Sequence, residues 1–203
     1  DPNVYRYVYM AGLGDVDGDS ENEIVCAYEN KVMVLNWDAQ NNVFVPTKIQ
    51  RPSPLMDTPF GVVCKDCDND GKNEVILSGG SGWQSNSSVG EITVFRWTGF
   101  YLKKVAEWKD PDVDGYVYMS GLGDVDEDGD NEIVCAYERK VMVLNWDAEN
   151  KVFVPTEIYR SYNQNTPFGI VCKDCDNDGN AEILLSYYDP RITGRTRLRP
   201  GMT

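Results

Sequence analysis

Residues 14–25 read GDVDGDSENEIV, and the pattern returns as KDCDNDGKNEVI at 65–76, GDVDEDGDNEIV at 123–134 and KDCDNDGNAEIL at 173–184. Counting from Asp15, Asp66, Asp124 and Asp174, each copy sets Asp at positions 1, 3 and 5 and Glu at position 9. The starts lie 51, 58 and 50 residues apart. A period near fifty residues marks a stacked-repeat architecture, in which each unit buries its apolar faces only against its neighbours. Repetition is stronger at longer range. Residues 7–48 return almost unchanged at 116–157, an offset of 109, and PFGVVCKDCDNDGKNEVILS from Pro59 returns from Pro167 as PFGIVCKDCDNDGNAEILLS. The chain therefore holds two long units, each made of two related but unequal repeats.

Within a repeat the pattern is that of strands. In the second repeat, runs at 61–65 and 74–78 flank the acidic loop, and 91–97 and 101–108 follow, parted by the turn signal Thr98-Gly99. In residues 32–35 both alternate sets are apolar, Val32 with Val34 and Met33 with Leu35, as in a strand buried on both faces. No helical period is present. Four short strands per repeat is the make-up of a propeller blade. The expected fold is all-β: a β-propeller, or part of one, with blades at about 1–58, 59–109 and 110–166 and a partial blade at 167–188. After Ser186 the pattern lapses, so the last blade is expected to lack its third and fourth strands, and 189–203 form a basic tail with four arginines. Open strand edges would then need pairing or protection, in this chain or between copies.

Composition narrows the function. The 203 residues are 41% hydrophobic and 26% charged, those of a globular chain with a sizeable core. A formal net charge of −14 disfavours nucleic acid and anionic membrane surfaces as partners. No apolar run reaches the length of a membrane-spanning helix. Histidine is absent, which removes imidazole-dependent catalysis and His-ligated zinc.

The chemistry lies in the loops. The candidate metal ligands are Asp15, Asp17, Asp19 and Glu23; Asp66, Asp68, Asp70 and Glu74; Asp124, Asp126, Asp128 and Glu132; and Asp174, Asp176, Asp178 and Glu182. Alternating carboxylates converge when the chain wraps around a point, and hard oxygen donors in that number suit calcium. Gly71, Gly129 and Gly179 follow the third Asp, where a sharp turn favours a residue without Cβ, whereas the first loop has Ser20. These positions hold 16 of the 33 acidic residues. Four Ca²⁺ would bring the charge from −14 to about −6.

These four motifs resemble the FG-GAP/VCBS repeat family, whose members include integrin α-subunit propellers and many microbial surface proteins. The resemblance covers the chain to about Tyr188. It implies a β-propeller with calcium in the loop between the first two strands of each blade. It also implies a backbone carbonyl ligand near position 7: Glu21, Lys72, Asp130 and Asn180. The same repeats occur in some polysaccharide lyases, so the likeness does not specify one function.

Six cysteines fall three to a unit: Cys26, Cys64 and Cys67, then Cys135, Cys172 and Cys175. In extended chain the two Cys-x-x-Cys pairs are too far apart to bond. They read as small buried side chains, with a cross-blade disulfide such as Cys26 to Cys64 left open. Trp37, Trp97 and Trp146 recur at a strand end, as packing residues. Trp83, in the polar Gly/Ser-rich stretch 79–90, is a candidate sugar-stacking residue, and Asn86-Ser87-Ser88 fits a glycosylation acceptor. The expectation is a non-catalytic, secreted or cell-surface calcium module for adhesion, for carbohydrate or protein binding, or for assembly. A lyase-like propeller and a self-assembling protein whose copies complete one another are the alternatives.

Overall fold

The computed structural model describes residues 10–28, 31–48, 58–81, 89–112, 115–137, 139–160, 167–187 and 197–199. They contain strands and no helix. Sheet I is β1 (Met10–Gly14), β2 (Glu23–Tyr28), β3 (Lys31–Asp38) and β4 (Val43–Lys48). Sheet II is β5 (Thr58–Lys65), β6 (Glu74–Ser81), β7 (Val89–Trp97) and β8 (Leu102–Lys109). Sheet III is β9 (Met119–Gly123), β10 (Glu132–Ala136), β11 (Lys140–Asp147) and β12 (Val152–Arg160). Sheet IV is β13 (Pro167–Lys173), β14 (Glu182–Tyr187) and β15 (Arg197–Arg199). Each is an antiparallel meander with strands in chain order. The expected loss of a third strand from the last repeat does not hold. Three residues of the basic tail, Arg197–Arg199, pair with β14 at that place.

Period-2 alternation explains how the sheets stack. On sheet I, Val25, Ala27, Val32 and Val34 share a face with register partners such as Val25↔Val34. They pack against Cys64, Val75, Leu77 and Phe95 of sheet II. The other face of sheet II, with Ile76, Ile92, Val94 and Trp108, meets Leu122, Ile133, Met142 and Leu144 of sheet III. Val134, Ala136, Val141 and Val143 on the far side of sheet III meet Ile170, Cys172 and Ile183 of sheet IV. The inner sheets are thus apolar on both faces, and every residue of β10 is buried. Contacts between sheets follow chain order, with first strands side by side: β1 on β5, β5 on β9, β9 on β13.

That close approach needs residues without side chains. A Cβ at Gly14 would lie 2.7 Å from the Cys64 carbonyl oxygen and 2.8 Å from its Cβ. At Gly123, its counterpart 109 residues later, a Cβ would lie 3.1 Å from the Cys172 Cβ. The same device seats β1 on β5 and β9 on β13.

The segment leading from sheet II to sheet III is anchored by charge. Lys140 Nζ lies 2.6 Å from Asp110 Oδ2 and 3.3 Å from Asp112 Oδ2, and both Lys140 and Asp110 are buried. The Asp110 N–H donates to the Gly90 carbonyl at 2.9 Å. A buried pair contributes little net stability against an apolar substitute, but stranding one partner is costly. Asp110→Ala is therefore expected to destabilise the protein by about 3–5 kcal/mol in urea unfolding. Replacing both partners together, Asp110→Leu with Lys140→Met, should cost far less.

Candidate metal centre

All four acidic loops join the first strand of a sheet to its second, and all are built alike. The position-1 carboxylate accepts backbone N–H groups from further round the loop. Asp15 Oδ1 takes Gly18 at 2.7 Å and Oδ2 takes Ser20 at 3.0 Å. Asp124 takes Glu127 and Gly129 at 2.8 and 3.1 Å, and Asp174 takes Asn177 and Gly179 at 2.6 and 3.0 Å. In the second loop Asp66 Oδ2 takes Gly71 at 2.8 Å. The position-5 carboxylates cap the next residue but one: Asp19 with Glu21, Asp70 with Lys72, Asp128 with Asp130, Asp178 with Asn180.

This winding needs two left-handed residues per loop. Position 6 has φ of +76° at Ser20, +86° at Gly71, +95° at Gly129 and +103° at Gly179. Ser20 thus adopts a conformation that costs an L-residue on the order of 1 kcal/mol or more. Position 4 is left-handed too, at Gly18, Asn69, Glu127 and Asn177. Gly18, Asn69 and Asn177 are residue types that take this conformation readily, a signal the sequence carried, and only Glu127 adopts it against its preference.

Position 9 closes the loop. Glu23, Glu132 and Glu182 each accept the position-2 backbone N–H through Oε2, from Val16 at 2.9 Å, Val125 at 2.8 Å and Cys175 at 2.8 Å. Glu74 accepts from Cys67 at 3.2 Å. Glu23, Glu74 and Glu132 are buried. Burial is the main cause that raises their affinity for a proton above that of an ordinary carboxyl, and neighbouring loop carboxylates add to it. Glu132 is pushed up to about 7.

Three carboxylates of each loop bring one oxygen apiece within 4.8 Å of one another: Asp15, Asp17 and Asp19; Asp66, Asp68 and Asp70; Asp124, Asp126 and Glu132; Asp174, Asp176 and Glu182. Each group could hold a metal ion. The remaining candidates Glu23, Glu74, Asp128 and Asp178 belong to the same loops but stand outside these tightest sets. Two oxygens of the second loop, Asp66 Oδ1 and Asp68 Oδ1, are buried without a hydrogen-bond partner, as acceptors awaiting a cation would be. At position 7, the backbone N–H groups of Glu21, Lys72, Asp130 and Asn180 serve the loop as described, and their carbonyls stay candidate ligands. Trp83 and the Asn86 acceptor lie outside the described residues.

One feature separates the loops. In the first three sheets the residue before the repeated Trp reaches over the loop from the third strand. Asn36 donates to Asp17 Oδ2 at 2.9 Å and Asn145 to Asp126 Oδ2 at 2.7 Å. In sheet II that residue is Arg96, whose guanidinium lies 2.7 Å from Asp68, 3.0 Å from Asp70 and 2.7 Å from Glu74. The second loop therefore carries its own cation. The sequence holds the signal, an Asn, Arg, Asn series beside Trp37, Trp97 and Trp146, but only the fold shows where it points.

All six cysteines are free thiols, and the Cys26–Cys64 disulfide is not formed. The faces explain why. Cys64 packs toward sheet I, while Cys26 belongs to the opposite face of sheet I, with Tyr28 and Met33. Cys67 packs toward sheet III, so Cys64 and Cys67 are parted by sheet II itself. Burial pushes the Cys64 and Cys172 thiols up to about 12, which leaves them protonated and unreactive.

Tandem antiparallel sheets with a carboxylate-lined loop at the same corner define a class of acidic-loop repeat proteins. The chain belongs to the FG-GAP-like repeat family, whose model matches residues 15–77 and 124–185. A search of curated proteins finds no match.

Two outcomes follow from this geometry. Arg96→Asn, which copies the first and third loops, is expected to raise divalent-cation affinity at the second loop at least tenfold in calorimetric titration. The metal-free variant should melt lower than the parent, because its loop carboxylates lose their counter-charge. The second concerns pH. Glu132 binds its proton up to about pH 7 when folded, against an ordinary 4.5. Between those values the folded metal-free chain holds more protons than the unfolded one, so its stability falls as pH rises. Its melting temperature should drop from pH 5 to pH 7.5 in scanning calorimetry, and saturating metal, which needs the deprotonated loops, should remove or reverse that trend.

Proposed function

We propose that this protein is a calcium-dependent binding module in which the four sheets are blades of a β-propeller, or of part of one, each stabilised by an ion in its acidic loop. The reading is supported by three four-stranded meanders and one of three strands, stacked face to face with their first strands adjacent. The observation that carries it is the convergence of carboxylate oxygens at four equivalent corners. The donors are all hard oxygens, in flexible loops rather than a rigid octahedral cage, which favours calcium over magnesium or a thiophilic metal. When bound, the ion would supply fixed positive charge that relieves repulsion among the loop carboxylates. Asp15, Asp17 and Asp19 and their counterparts would hold it, and the position-9 glutamate would couple it to the second strand. At a calcium level a hundredfold above a site's dissociation constant, each filled site contributes about 2.7 kcal/mol to folding.

The role proposed is non-catalytic: the ions keep the sheets in register so that their edges and loops can engage a protein or carbohydrate partner. A secreted or cell-surface setting fits that role, because extracellular calcium is high enough to fill modest oxygen sites. Calcium titration of metal-stripped protein by native mass spectrometry tests it. Three ions are expected to load readily, and a fourth at higher concentration where Arg96 competes. Folded protein that takes up no calcium would sink the proposal.

A further inference from the structure

The 109-residue repeat places the same side chains in two settings within one molecule, and the settings differ. On sheet III, Leu122, Ile133, Leu144 and Phe153 form a face buried against sheet II. Their counterparts on sheet I are Leu13, Ile24, Leu35 and Phe44, on the side turned away from sheet II. Leu122 is 6% exposed and Leu13 is 62%; Phe153 is 6% and Phe44 is 47%. The ring pair is intact in both places, with Trp146–Phe153 and Trp37–Phe44 centroids each 5.0 Å apart. Sheet I therefore presents a ready-made docking face along Leu13, Trp37 and Phe44. Its other end, at Cys26, Tyr28 and Met33, is buried.

The matching surface stands at the opposite end of the chain. Sheet II meets sheet III with Val63, Cys67 and Ile76. The counterparts 108 residues on are Val171, Cys175 and Leu184 of sheet IV. They lie on the side of sheet IV away from sheet III, and Val171 is 50% exposed. The polar rim is repeated as well. Lys65 Nζ reaches Asn131 Oδ1 at 3.2 Å and the Leu122 carbonyl at 3.4 Å. Asn131 donates to Asn69 Oδ1 at 3.0 Å and to the Asp66 carbonyl at 3.2 Å. Lys173, Asn177 and Asp174 stand in those places on sheet IV, and Asn22 and Leu13 stand in them on sheet I, identical at every position.

We infer that sheet IV of one copy of this chain docks on the Leu13, Trp37 and Phe44 end of sheet I of a second copy, repeating head to tail the half of the sheet II–sheet III interface that lies beside the acidic loops. The two exposed faces are apolar, and the rim chemistry that sets their register is already realised once inside the molecule. The contact is heterologous, joining different patches on the two partners, so copies add head to tail until the rotation between them closes a ring or, where it does not close, continue to add. It is smaller than its internal template, because β15 pairs only with Leu185, Ser186 and Tyr187 and so does not reach the place beside Leu184 that Val94 fills beside Ile76.

Leu13→Arg and Val171→Arg each block one face at an exposed position, and circular dichroism checks that both fold. Sedimentation in millimolar calcium is expected to show the parent protein passing above its 22.9 kDa monomer mass as concentration rises. Each variant alone should weaken association at least tenfold, while an equimolar mixture of the two should form a 1:1 dimer through the remaining intact faces. If a variant misfolds, Leu13→Gln or Val171→Gln takes its place in the same comparison. A parent that stays monomeric to about a hundred times micromolar concentration, well above the range of specific interfaces, overturns the inference. So does a Val171→Arg protein that associates undiminished while Leu13→Arg does not, since that marks a sheet I to sheet I contact.

Discussion

A glutamate at the end of each acidic loop, buried in the first three loops and half-buried in the fourth, holds the first two strands of its sheet together. Glu23, Glu74, Glu132 and Glu182 begin the second strand and accept the backbone N–H of the loop's second residue. Burying a carboxylate is unfavourable unless its charge is matched. The loop answers with backbone amides, and the Asp side chains ahead of it then bring further negative charge to the same corner. Protons, a guanidinium or a metal ion would each relieve the charge gathered at that corner. Strand pairing and loop winding are thus coupled through that glutamate, and burial, with the charge of Asp126, Asp128 and Asp124 added, raises the proton affinity of Glu132.

Nature has varied the answer to that charge problem inside a single chain. Three loops leave it open, with Asn36 and Asn145 offering only an amide to the first and third. The second is closed from within by Arg96, whose planar donors meet three carboxylates at once. Even so, Asp66 Oδ1 and Asp68 Oδ1 keep unused acceptor capacity. The loops also touch one another across sheets: Asn131 of the third reaches Asn69 and Asp66 of the second. Loop order and sheet register are therefore linked along that edge.

Much of this was legible before any coordinates. The four motifs placed the loops, and period-2 alternation placed strands that the structure extends by only a few residues at their ends. Glycine, and Ser20 in its place, marked the left-handed sixth position. The fourth position was also legible in part, since Gly18, Asn69 and Asn177 favour left-handed backbone, but Glu127 hides the pattern in the third loop. The Cys26–Cys64 pairing, left open by the sequence, does not form because Cys64 packs toward sheet I while Cys26 lies on the far face of sheet I, which repeat spacing does not tell. The strand at Arg197–Arg199 escaped because it follows no repeat pattern: any extended segment can pair with an open edge, since pairing uses backbone groups alone.

The sequence by itself determined which segments are strands, where the carboxylates gather and that the units are copies, because alternation, charge spacing and repetition are properties of the linear order. Tertiary structure alone decided what each copy does. Leu13 and Leu122 occupy the same place in the same motif, yet one meets sheet II and the other meets solvent. Asn36 and Arg96 become an amide donor and a resident cation only once β3 and β7 lie beside their loops. Burial, neighbour charge and unpaired surface arise between sheets, and no local sequence pattern encodes which sheet stands next to which.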